Sequence, residues 1–73
     1  MNSNKDWYEH RNELNPGDVF KTYDDCVIRL DRRVPGDGTD WYADVWMNGH
    51  FSCEDARIHP GDLTEKLPND FAG

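Results

Sequence analysis

Asp40-Trp41-Tyr42-Ala43-Asp44-Val45-Trp46-Met47-Asn48-Gly49-His50-Phe51-Ser52-Cys53 is the densest apolar and aromatic run of the chain. Successive side chains of a strand point to opposite faces, so Trp41, Ala43 and Val45 share one face and Tyr42, Asp44 and Trp46 the other. Asn48-Gly49 is a turn signal, and the run reads as a β-hairpin. A two-residue loop at Asn48-Gly49 would set Trp46 opposite Phe51 and place Asp44 on the same face as Phe51 and Cys53, burying a charge. A three-residue loop, Met47-Asn48-Gly49 with Gly49 left-handed, pairs Trp46 with His50 and Val45 with Phe51 instead. On that register the core face carries Trp41, Ala43, Val45, Phe51 and Cys53. The solvated face carries Tyr42, Asp44, Trp46, His50, Ser52 and Glu54.

The flanking chain is organised in short strands separated by turns. Asn15-Pro16-Gly17-Asp18 has the proline and glycine placement of a type II turn. Val19-Phe20-Lys21-Thr22-Tyr23 follows as a strand that Asp24-Asp25 ends. Residues 26–34 form a second strand with Cys26, Ile28 and Leu30 facing in and Val27, Arg29, Asp31 and Arg33 facing out. Pro35-Gly36-Asp37-Gly38-Thr39 is an open loop. Beyond Cys53 the inward parity falls on Asp55, whereas Ala56 and Ile58 belong in the core, which predicts a bulge or a single helical turn near Asp55. His59-Pro60-Gly61-Asp62 is a further turn, with Leu63 or Leu67 closing the core. Ser3-Asn4-Lys5-Asp6 has the form of a capping box, and Trp7, Arg11 and Leu14 recur at helical spacing, predicting a short helix within residues 3–13.

Four or five such strands make a mainly β domain, a small, strongly bent antiparallel barrel. Residues 1–12 are its N-terminal segment, 13–67 the barrel and 68–73 a flexible tail. The skeleton Glu13-Leu14-Asn15-Pro16-Gly17-Asp18-Val19-Phe20, Asp40-Trp41-Tyr42-Ala43, Gly49 and Ile58-His59-Pro60 resembles that of SH3-like and Tudor-like barrels. A Tudor resemblance implies an aromatic cage for methylated lysine, which needs three rings around one point. Two, Tyr42 and Trp46, are evident. The SH3 resemblance does not extend to a polyproline site, because His59-Pro60-Gly61-Asp62 stands where the ligand-binding turn would be and Asp6-Trp7-Tyr8-Glu9-His10 matches the aromatic motif only loosely.

Composition narrows function further. The chain has 73 residues and a net charge of −7. That sign argues against binding nucleic acid or anionic membranes through phosphates, and favours a basic partner or imitation of a nucleic acid's field. Mimicry would require Asp24, Asp25, Asp37, Asp40, Asp44, Glu54, Asp55, Asp62, Glu65 and Asp70 to align on one face; the alternative is a solvated acidic surface. The N-terminus reads as neither secretory signal nor membrane span, and two cysteines are too few for a disulfide framework, so a cytoplasmic protein with reduced thiols is expected. Acidic neighbours disfavour both thiolates. His50, Cys53, His59 and Cys26 contain the elements of a zinc site without its knuckle spacing, and Asp37-Gly38-Thr39-Asp40 lacks the alternating carboxylates of a calcium loop, so no metal or cofactor is expected.

No nucleophile has a base at motif spacing, and a barrel of this size leaves no room for a pocket inside its core, so the reading is non-enzymatic. Exposed Tyr, Trp and Arg are the residues that dominate protein interfaces. Tyr42 and Trp46 are therefore the expected anchors of a binding face, with Arg29, Asp44, His50 and Glu54 as its polar rim and Arg33 alongside. The bland alternative is that Trp7 or Tyr8 packs over both rings. The function expected is that of a small acidic inhibitor or adaptor, of the kind phages and mobile elements encode against host nucleic-acid machinery, acting by protein contact or as a DNA mimic. A peptide-reading SH3-like or Tudor-like module in a regulatory assembly is the second reading, and a small zinc-dependent domain the third.

Overall fold

The computed structural model describes residues 6–36 and 38–70. Five antiparallel strands, β1 (Val19–Thr22), β2 (Val27–Arg33), β3 (Trp41–Met47), β4 (His50–Ile58) and β5 (Leu63–Leu67), form one sheet in the order β4-β3-β2-β1-β5. The fold is mainly β, as expected, with β4 and β5 as its edges. Short 3-10 turns at Arg11–Glu13 and Pro60–Asp62 are its other regular elements among the described residues.

Period-two alternation sorts the core. Trp41, Ala43 and Val45 of β3 are buried, and so are Ile28 and Leu30 of β2, Phe20 of β1, Cys26, Leu14 and Leu63. Trp41 (2% exposed) and Phe20 (0%) are the largest side chains in this cluster. The turn before β1 forms as predicted, with Gly17 at φ 91° and the Asp18 N–H donating to the Asn15 carbonyl at 3.1 Å. Pro60 is buried, the His59 ring accepts from the Gly61 N–H at 2.9 Å, and the Asp62 side chain returns the cap, so the chain enters β5 with Leu63 in the core.

The helix predicted within residues 3–13 does not form among the described residues. Residues 7–10 are turns and only Arg11–Glu13 is 3-10, while residues 1–5 lie outside the described ones. Asp6 accepts from the Tyr8 N–H at 3.1 Å, which starts a turn, and Asn15-Pro16 follows too closely for a stable helix to propagate. Trp7 instead docks on the inner side of the sheet, edge-on to Phe20 at 4.8 Å between centroids.

The central hairpin takes the register rejected on the sequence. Met47 pairs with His50 and Trp46 with Phe51 across a two-residue loop whose residues both have positive φ, Asn48 at 54° and Gly49 at 79°. The charge expected to be buried is kept out by a bulge at Ser52, after which Val45 pairs with Cys53. Phe51 thus lies beside Trp46 on the outer face, 57% exposed, not in the core. Cys53 shares the side of Val45 but is exposed, because β4 is an edge strand there. A second bulge, where Asp55 has φ 57°, restores Ala56 opposite Ala43 and Ile58 opposite Trp41, the correction expected near Asp55. Nine residues of β4 therefore accompany seven of β3.

Two substitutions test this arrangement by urea denaturation. Val45→Ala removes two buried methyl groups and should lower stability by about 2 kcal/mol. Gly49→Ala forces a Cβ onto the left-handed loop residue and should cost about 1 kcal/mol. Negligible losses in both variants would contradict the inward placement of Val45 and the left-handed conformation of Gly49.

Candidate functional site: an aromatic and arginine face

The even residues of β3 open onto the outer side of the sheet, and each meets a cation from β2. The Arg29 guanidinium lies 5.0 Å from the Trp46 ring centre, and its Nη2 is 3.3 Å from Oδ2 of Asp44. Phe51 approaches the other side of Trp46 edge-on, at 5.6 Å and 73°. Further along β3, Tyr42 lies under the Arg32 guanidinium at 4.4 Å. Arg32 reaches there because β2 bulges at Asp31, which turns Arg32 rather than Arg33 towards Tyr42. Arg33 pairs with Trp41 and covers that ring at 4.7 Å, so its expected place beside Tyr42 is corrected.

Carboxylates hold these cations. Arg32 Nη1 is 3.0 Å from Oδ1 of Asp55 and 2.5 Å from Oδ2 of Asp31, and the hydrogen bond to Asp55, with that to Asp31 adding, raises its pKa above the ordinary arginine value. Arg57, opposite Tyr42 on β4, donates from Nε to Oδ2 of Asp40 at 2.8 Å. The arginines of these pairs are open to solvent, whereas Asp44 and Asp40 are largely shielded, and the pairs act mainly by orienting side chains. Asp31, Asp40, Asp44 and Asp55 are thus each ion-paired with one of three arginines, Arg32 serving both Asp31 and Asp55, and do not form a bare acidic array.

Of the residues expected at the site, Tyr42, Trp46, Arg29 and Asp44 come together, the two rings half-buried beneath guanidinium groups. His50 does not join them: as the partner of Met47 it falls on the opposite side from Trp46. Glu54 is exposed between the two bulges of β4, and the positive φ of Asp55 makes Asp55 the carboxylate that reaches Arg32. Sequence reasoning missed Phe51, Arg32, Asp55 and Arg57. Reading Asn48-Gly49 as a type I′ loop would have recovered Phe51, whereas the bulge that delivers Arg32 has no sequence signal. The N-terminal segment does not cover this face with Trp7 or Tyr8, since Trp7 packs on Phe20 and Tyr8 stacks on His59 at 5.3 Å. Three rings now share the face, but Trp46 and Phe51 touch and the protein's own guanidinium groups occupy Trp46 and Tyr42, so they do not form an empty cage.

Among the described residues, no group of three or more His, Cys, Asp or Glu side chains is placed to hold a metal ion. No described helix is long and apolar enough to cross a membrane. Burial, with the Asp24 charge adding, raises the Cys26 thiol above its usual pKa and keeps it protonated. No protein-family model matches the sequence, and no curated protein or solved structure is significantly similar to it.

Two measurements follow from these contacts. A double-mutant cycle on Arg32→Gln and Tyr42→Leu should give a small favourable coupling, and zero coupling would mean that the stack has no energetic content. For Cys26, a folded pKa above the unfolded one favours folding while the thiol is protonated. That contribution is complete below the unfolded value, near pH 8.5, and is lost as pH rises through the folded value. Stability should therefore fall more steeply above about pH 9 in the wild type than in Cys26→Ala. Parallel pH curves would exclude the linkage.

Proposed function

We propose that this chain is a non-enzymatic protein-binding protein that docks on a partner through the outer face of β2, β3 and β4. Trp46 and Phe51 are its apolar anchor, and Tyr42, Arg29, Arg32 and Asp44 are the ring around it. The observation that carries the reading is the exposed Phe51 ring packed edge-on against the half-buried Trp46, beside the Tyr42–Arg32 stack. Surface aromatics clustered with arginine are what interface centres are made of, and an exposed ring such as Phe51 set on two half-buried ones fits that composition. The matched charges of this face favour apolar contact over imitation of nucleic acid. Two unpaired thiols agree with a cytoplasmic setting. An inhibitor or adaptor acting on nucleic-acid machinery remains the functional class proposed, by analogy of size and acidity.

The test is affinity capture from the source cells with wild type, Trp46→Ala and Phe51→Ala. The same specific partner should be retained by the wild type and lost, by more than about tenfold, with either variant. Retention should change little between low and high salt, and DNA should not compete. Capture that is indifferent to both rings but abolished by salt or DNA would replace this reading with charge mimicry.

A further inference from the structure

The inner side of the sheet carries a second feature, separate from the aromatic face. Between the β1–β2 turn and the start of β4, the core opens into a groove of about 280 Å³. Ile28, Val45 and Ile58 line its apolar depth, and Tyr23 and Met47, 74% and 50% exposed, are among the residues at its edge. At neutral pH the charged side chains among the described lining residues are Asp24 and Asp62, both acidic. The edge is held in shape: the Tyr23 N–H donates to the Asp62 carbonyl at 3.1 Å, the Thr22 N–H to the Cys26 carbonyl at 2.9 Å, and the Thr22 hydroxyl to Asp24.

An apolar depth whose charged lining residues, Asp24 and Asp62, are both acidic specifies a complementary occupant. We propose that this groove receives a segment of a partner protein in which one apolar side chain is flanked by lysine or arginine. Its volume lies at the lower limit of small-molecule sites, roughly 300 Å³, which suits one leucine or methionine side chain better than a cofactor. A second copy of this chain is a poor occupant, because each carries a net charge of −7. The preformed edge reduces the ordering that binding requires. The groove does not depend on the outer face, and the two surfaces can be tested apart.

The full chain, labelled with 15N, is titrated with the capped peptide Lys-Lys-Leu-Lys-Lys and with two controls, Lys-Lys-Gly-Lys-Lys and Glu-Glu-Leu-Glu-Glu. Saturable shifts of the Tyr23, Cys26, Met47, Cys53 and Ile58 amides are expected with the first, and affinity at least about tenfold weaker for each control. Tyr23→Ala and Met47→Ala, both at exposed positions, should weaken the leucine peptide severalfold, while Trp46→Ala should leave it unchanged. The proposal is overturned if the glycine peptide binds as well as the leucine one, if the shifts centre on Tyr42 and Trp46, or if nothing saturates up to about 5 mM peptide. Loss of partner capture in Trp46→Ala with groove binding intact would separate the two surfaces experimentally.

Discussion

The placement of β3 at the centre of one half of the sheet, with Trp41, Ala43 and Val45 buried, is the constraint on which the rest depends. Because a strand alternates strictly, sending these three inward sends Tyr42, Asp44 and Trp46 outward. No one-residue slip is tolerated, since it would bury Asp44 and expose the tryptophan that fills the core. The neighbours accommodate β3, and each does so by bulging. β2 gives way once, at Asp31, and β4 twice, at Ser52 and Asp55.

These bulges also shape the outer face. Each adds a residue to one strand, increases the local twist and re-aims the side chains that follow. The bulge in β2 brings Arg32 over Tyr42, and the second in β4 turns Asp55 back towards Arg32. The same irregularities blunt β4 as an edge, where an evenly spaced row of free amides would invite another strand. The guanidinium groups on the outer face are open to solvent and their ion pairs stabilise little individually. They hold the rings of Tyr42 and Trp46 in defined positions, the preorganisation that a docking surface needs.

The two sides of the sheet differ in chemistry. The outer side presents rings and ion-paired carboxylates, whereas the groove on the inner side presents an apolar hollow whose charged lining residues are both acidic. The excess of carboxylates over basic residues is therefore unevenly expressed, and the groove is where the proposed basic segment would meet it. Trp7, packed on Phe20, closes part of the inner side and does not lie over Tyr42 or Trp46.

Alternation and turn chemistry, both local properties, were sufficient to read the mainly β class, the turn at Asn15-Pro16-Gly17-Asp18, the inward set Ile28, Leu30, Trp41, Ala43 and Val45, and four of the residues of the outer face. Even the bulge near Asp55 was legible, because Cys53, Ala56 and Ile58 could not otherwise share a side. Loop length at Asn48-Gly49 was not, since avoiding a buried Asp44 had two solutions, a longer loop or a bulge at Ser52. Only the packed sheet chose the second, and with it moved Phe51 outward and His50 away from Trp46. Arg32 and the groove likewise belong to tertiary structure alone: they arise from where one strand yields to the curvature of another, and that depends on side chains distant in sequence meeting across the sheet.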